Sequence, residues 1–222
     1  MPQILSIGAL RYTVYMRCFP FSDIPEFGVF KKLTTPSKVQ DFVNTLPMNF
    51  EKHGETCHSP LQVLMQRSAQ CLEGALLAAG ALWYHGRPPL LLDLETDDSD
   101  ESHVVALFKE NGYWGAISKT NHGVLRYRDP IYKTIRELAL SYFNEYFLHN
   151  GKKTLRTFSK RPFSLLDFED EWLIADYPVW NVHDELIDAP HEKIAPDAVM
   201  RNLRRADIIE IKAGKLIEQR DR

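Results

Sequence analysis

The stretch QCLEGALLAAGALW at residues 70–83 decides how the chain is organised. It consists almost entirely of small and apolar helix formers, so it predicts a helix that is buried on most sides. A cysteine, Cys71, stands at its first position. The helix therefore places one thiol at its N-terminus and ends at the break formed by Gly86 and Pro88.

The sequence order around this thiol suggests chemistry. A helix N-terminus carries partial positive charge, which favours a thiolate and predicts a lowered pKa for Cys71. His103 opens the apolar run His103–Lys109, which predicts a strand. A thiol at a helix start followed by a histidine on a strand is typical of a nucleophile and its base. The alternative is that Cys71 is an inert buried thiol.

The elements flanking the thiol predict an α+β fold. Ser59 and Pro60 start a short helix that ends near Arg67, and the apolar run Leu90–Leu94 predicts a buried strand. After the strand that begins at His103, the pair Asn111 and Gly112 predicts a hairpin turn into residues 113–117. The sequence thus predicts a cysteine-bearing helix packed on an antiparallel sheet.

The hairpin register limits which side chains can orient the imidazole of His103. With a two-residue turn, Glu110 pairs with Tyr113, and Ser118 falls on the His103 face. A slip of one residue brings Asn121 to that face instead. Ser118 and Asn121 are both candidates for a third site residue, and Asp129 is a more distant one.

Other segments are assigned by the same signals. Predicted strands cover Leu10–Phe19 and Leu155–Phe158, and predicted helices cover residues 37–46 and Ile131–Leu148, the latter expected to be the longest. A final hairpin is predicted from Ile208–Ile211 and Lys215–Glu218. We expect one domain over residues 1–222, with a core at about 59–160 and N-terminal and C-terminal elaborations.

Composition limits the classes of function. The net charge of -3 argues against nucleic acid as a partner, and no run of apolar residues is long enough to cross a membrane. The chain has three cysteines and no basic, apolar leader, so we expect a cytoplasmic protein with reduced thiols. His53, Cys57 and His58 could ligate zinc, but no second ligand pair follows, so the sequence predicts no metal and no cofactor.

The succession of Cys71, the break after the helix, an apolar strand, His103 and then Trp114 four residues before Ser118 resembles the transglutaminase-like superfamily core. That superfamily is related in fold to papain-like cysteine proteases, and the resemblance extends to an uncharacterised bacterial branch of it. It covers roughly residues 59–121 and implies a Cys-His-Asp triad. Ser118 stands where the resemblance implies aspartate, so the chain departs from the pattern there.

The site and the resemblance together predict thiol-dependent acyl transfer, as in a peptidase, an amidase or a transglutaminase. The substrate would be a peptide, a protein or a small amide. The backbone N–H of Cys71 is the expected oxyanion donor. Gln66 and Gln70 are side-chain candidates for the same role, but either glutamine is more simply explained as a solvated helix residue. The alternative is an inactive module of the same fold that binds a peptide or protein partner, which Ser118 in place of aspartate favours.

Overall fold

A computed structural model of the protein describes residues 17–220. The predicted strand Leu10–Phe19 lies almost entirely outside these residues. The α-helices are α1 Pro36–Thr45, α2 Pro60–Gln66, α3 Cys71–Tyr84, α4 Ile135–Phe143, α5 Trp180–Asp188, α6 Asp197–Met200 and α7 Ile208–Gly214. The strands are β1 Leu90–Thr96, β2 His103–Glu110, β3 Tyr113–Ser118, β4 Arg128–Tyr132, β5 Leu155–Ser159, β6 Phe163–Ser164 and β7 His191–Lys193.

The strands form one sheet in the order β4-β3-β2-β1-β5-β7, and β6 also pairs with β1. Every strand pair is antiparallel. Together with the helices, this sheet makes the fold α+β, as the sequence predicted. β2, which begins at His103, is an interior strand of the sheet.

The hairpin between β2 and β3 has the predicted register. Asn111 and Gly112 both have positive φ, at 50° and 87°, as expected for the two central residues of a type I′ turn. Glu110 pairs with Tyr113, and the same register continues to the pair Val105 and Ser118. The turn chemistry therefore fixes which residues of β3 lie on the His103 face.

The helix α3 begins at Cys71, as predicted. Its N-cap is Gln70, which accepts a hydrogen bond from the N–H of Leu72, while Glu73 accepts one from the N–H of Gln70. This reciprocal capping box satisfies N–H groups that have no partner within the helix. Residues 72–83 are all buried, so α3 is a central helix of the fold.

The sheet separates two apolar clusters. Residues of β2 alternate between them: Val104, Ala106 and Phe108 pack with α3, whereas Val105 and Leu107 pack with α4. By this alternation His103 lies on the α4 side. The helix that begins at Cys71 therefore packs on the sheet face opposite to the one that carries His103.

Two predictions in the second half of the chain are wrong. The helix predicted over Ile131–Leu148 begins only at Ile135 and ends at Phe143, after β4, so α3 is longer. The predicted C-terminal hairpin is instead the helix α7, because Asp207 and Glu210 form a capping box that starts a helix.

Candidate functional site

Cys71 is held at the first position of α3, where it is partly exposed. The backbone N–H groups of Val104 and Leu72 bond the sulfur and lower its pKa. Burial outweighs them and, helped by the carboxylates of Asp93 and Glu101, raises the pKa of Cys71 to about 11. The predicted lowering of this pKa is therefore wrong, because burial and carboxylates oppose the effect of the helix terminus.

His103 is bonded to Ser118. The imidazole Nε2 lies 2.8 Å from the Ser118 hydroxyl, and that hydroxyl donates to the carbonyl of Leu125 at 2.5 Å. A serine hydroxyl has a single proton, so it can only accept from His103. The imidazole is thus the tautomer with its proton on Nε2, which leaves Nδ1 with a free lone pair.

The imidazole is buried and neutral. Only 6% of His103 is exposed, and burial lowers its pKa to about 4, with further lowering by the charges of His122 and Arg128. Because the thiol pKa is high and the imidazole pKa is low, both groups are uncharged at neutral pH. The resting pair is not a thiolate with an imidazolium.

A cavity of about 300 Å³ joins the two groups. Cys71, His103 and Asn121 all line it. Ser118 is only 1% exposed and bonds the imidazole Nε2. The structure thus brings Cys71 and His103 to one cavity and places Ser118 next to the imidazole.

Asn121 lines the same cavity but its amide bonds elsewhere. Its Nδ2 donates to the carbonyl of Gln219 and its Oδ1 accepts from the N–H of Gln219, both at 2.9 Å. With the hairpin register unslipped, Ser118 rather than Asn121 contacts His103. Asp129 is an exposed residue of β4.

The predicted oxyanion donors differ in their surroundings. The N–H of Cys71 is at the first helical position, which has no acceptor within the helix. Gln70 uses its side chain to cap α3 and to bond the carbonyl of Thr56, and Gln66 is exposed beside His58 at 3.3 Å. The backbone N–H is therefore the better placed donor.

Sequence reasoning missed Gln40. Its side chain accepts from the N–H of Ser118 at 2.9 Å and donates to the carbonyl of Ser118 at 2.8 Å. Gln40 therefore holds Ser118 in place, and Ser118 in turn holds the imidazole of His103. The two lie 78 positions apart, and no local pattern signals their contact.

Two buried polar side chains of the cavity wall were also missed. Lys119 is 2% exposed, donates to the carbonyl of Leu46 at 2.5 Å, and has a pKa lowered by burial. The hydroxyl of Tyr146 is buried and has no hydrogen-bond partner among residues 17–220. Burial, followed by the charge of Cys71, raises the pKa of Tyr146 well above its usual value.

A second polar cluster supports the start of α3. Glu73 is fully buried and accepts hydrogen bonds from Thr56 and from the N–H of His58, whose ring also lies 2.9 Å from it. Cys57 is buried beside this cluster, and burial raises its pKa to about 12. Within residues 17–220 no group of His, Cys, Asp or Glu side chains is arranged to hold a metal ion.

Comparisons with known proteins leave the site to be interpreted from its own geometry. No protein-family model matches the chain, and no curated protein matches it significantly. Among the described residues, no helix has the length and apolar character needed to span a membrane.

Proposed function

We propose that this protein is a thiol-dependent acyl-transfer enzyme of the transglutaminase-like kind, with Cys71 as nucleophile and His103 as base. The observation that carries the proposal is the hydrogen-bond chain from His103 through Ser118 to Leu125. It fixes the imidazole tautomer and leaves Nδ1 able to accept a proton. The order of a cysteine-bearing helix followed by antiparallel strands supports the same family.

The proposed reaction starts from a neutral pair. Nδ1 of His103 takes the thiol proton while the sulfur of Cys71 attacks an amide or ester carbonyl. The imidazolium then gives this proton to the leaving amine or alcohol, and a thioester forms. Water or an amine, deprotonated by His103, releases the acyl group and restores the thiol.

Two features support the electrostatics of this reaction. The N–H of Cys71 can donate to the oxyanion, and such a donor is typically worth about a hundredfold to a thousandfold in rate. Ser118 can hold the imidazolium by hydrogen bonding, although a hydroxyl stabilises this cation less than a carboxylate does.

One observation favours a second function. The raised pKa of Cys71 and the lowered pKa of His103 are those of groups buried without charge compensation. A transglutaminase-like module that only binds a peptide or protein partner would tolerate such a pair. This alternative predicts an unreactive thiol.

Acylation of Cys71 by p-nitrophenyl acetate separates these two functions. In a Cys18→Ser/Cys57→Ser background, we expect one thioester per chain, with a rate that rises through the His103 pKa of about 4 and stays level to about pH 9. In His103→Ala the rate at pH 7 should fall by about a hundredfold or more and recover only as the thiol ionises. Mass spectrometry locates the acyl group.

His122→Ala is the matched control, because His122 lines the same cavity but is exposed. Its acylation rate at pH 7 should match that of the parent, whereas the rise at acid pH should move slightly upward, because the charge of His122 lowers the pKa of His103. An unreactive Cys71, or equal rates in the parent and in His103→Ala, would reject the enzyme and leave the binding module.

A further inference from the structure

The C-terminal segment Leu216–Gln219, here called the strap, lies along residues 121–123. The N–H of Gly123 donates to the carbonyl of Leu216 at 2.8 Å, and the N–H of Glu218 donates to the carbonyl of Asn121 at 2.9 Å. Between them, His122 and Ile217 form an antiparallel bridge. The strap thus pairs with this backbone edge as a short added strand.

Side-chain amides extend the pairing at the far end of the strap. Asn121 bonds both main-chain groups of Gln219, as described above. The N–H of Met48 donates to the side-chain carbonyl of Gln219 at 2.9 Å. Nearly all of these hydrogen bonds are made to main-chain N–H and C=O groups of the strap, which any other peptide would also offer.

The strap buries little of its own side chains. Leu216 is 66% exposed and Ile217 is 45% exposed. The ion pair between Glu218 and Arg126 at 2.8 Å is partly exposed, and such pairs contribute about 0 to 1 kcal/mol. The strap is therefore held by its backbone, with a weak dependence on sequence.

The paired edge belongs to the wall of the candidate site. Met48, Asn121 and His122 line the cavity that Cys71 and His103 share, and α7 adds Ile211 and Gly214 just before the strap. A Cβ at Gly123 would lie 3.4 Å from the Cβ of Leu216, so the strap runs close against this edge. An extended chain bound here would run along the wall of the cavity that Cys71 also lines.

We propose that the backbone edge of residues 121–123, together with the amide of Asn121, is a binding site for extended peptides that the strap occupies in the resting chain. The catalytic meaning of this site rests on the proposed function. For that function, the site makes a peptide the substrate class. A tethered segment competes at an effective concentration of about millimolar, so an incoming peptide must displace it.

The test uses the full chain with Cys71→Ser, so that binding is measured without thiol chemistry. The probe is a fluorescein-labelled peptide with the sequence of residues 215–222. Gln219→Pro in the chain removes the backbone N–H that donates a hydrogen bond to Oδ1 of Asn121. This substitution should release the strap. We expect the probe to bind this variant about tenfold or more tightly than the parent, because cis competition is lost.

Two variants control for sequence and for the edge. Leu216→Ala should bind the probe as weakly as the parent, because that exposed side chain does not hold the strap. Adding Asn121→Ala to Gln219→Pro should abolish the increase in probe affinity, because the side-chain amide that bonds the peptide main chain is removed. Equal affinity of the parent and Gln219→Pro, or a gain that survives Asn121→Ala, would overturn the proposal.

Hydrogen exchange gives a second measurement that needs no variant of the strap. An excess of the unlabelled peptide should speed exchange of the Glu218 N–H, which pairs with Asn121 in the resting chain. Unchanged exchange at saturating peptide contradicts the proposal, even if Gln219→Pro fails to fold. If the peptide binds as expected but Cys71 is not acylated by p-nitrophenyl acetate, only the acyl-transfer function is rejected.

Discussion

The side chain of Gln40 pairs with both main-chain polar groups of Ser118, in the manner of a neighbouring strand. On this side of β3 the pairing with β4 reaches only Ala116, so Gln40 takes over where β4 leaves the sheet. Ser118 in turn holds His103. A residue of α1 therefore sets the position of the imidazole on β2.

Replacing Gln40 with alanine should destabilise the protein and disturb the position of His103, the proposed base. Two buried main-chain groups of Ser118 lose their partners, which should cost about 2 kcal/mol in free energy of unfolding. Urea unfolding measures this loss, and the acylation rate at pH 7 should fall with it. Asn44→Ala is the control: Asn44 is exposed and bonds Gln40, and its loss should change stability by about 0.5 kcal/mol or less. Equal losses in both variants would contradict the positioning role.

Ser118→Asp should raise the pKa of His103. A carboxylate at this position would face Nε2 directly and favour the imidazolium, whereas the present pKa of about 4 reflects burial. We expect the NMR titration midpoint of His103 to move upward by about one unit or more. Ser118→Ala, which adds no charge, should leave the midpoint low. A midpoint that stays near 4 in Ser118→Asp would show that the two side chains are not in contact.

The buried neutral His103 should make folding sensitive to acid. Its pKa is about 4 in the folded chain and about 6.5 when exposed, so the unfolded chain binds the extra proton between these values. Stability should therefore fall as pH drops from 6.5 to 4, by up to about 3 kcal/mol from this group. His103→Gln keeps a donor for Ser118 without titrating, so its stability should vary less over this window. Parallel stability curves for the two proteins would exclude the effect.

Gly74→Ala should disturb the first turn of α3. A Cβ there would lie 2.3 Å from the Cβ of Lys119 and 2.9 Å from its Cγ, so the buried lysine stem must move. We expect a loss of about 1 to 3 kcal/mol and slower acylation of Cys71 in the same turn. Gly80→Ala is matched: its nearest contact is the end of the Leu173 side chain at 3.1 Å, and helix propensity offsets part of the strain. Similar melting temperatures for both variants would contradict the close packing at Gly74.

Local signals predicted the elements that carry the site. Asn111 and Gly112 specify a two-residue turn, and counting residue pairs back from this turn gives the strand register as far as Ser118. The apolar run after Cys71 specifies a buried helix. The same kind of signal was overlooked at Asp207 and Glu210, where the β-branched residues that follow suggested a strand. In α7 the capping box of Asp207 and Glu210 outweighs the β propensity of the isoleucines beside it.

Long-range contacts could not be predicted from the sequence. The bonds of Gln40 to Ser118 and of Asn121 to Gln219 join residues 78 and 98 positions apart, and nothing in either segment requires the other. The pKa of Cys71 failed as a prediction for a related reason. The helix terminus was visible in the sequence, but Asp93 and Glu101, which approach from other elements, were not.

The high pKa of Cys71 determines how readily the thiol is oxidised. Oxidation by peroxide proceeds through the thiolate, and a thiol with a pKa of about 11 is almost wholly protonated at neutral pH. Cys71 should therefore resist sulfenic acid formation far longer than an ion-paired catalytic thiolate. In the acyl transfer proposed above, a nucleophile generated only when His103 accepts its proton would be protected from oxidants between reactions.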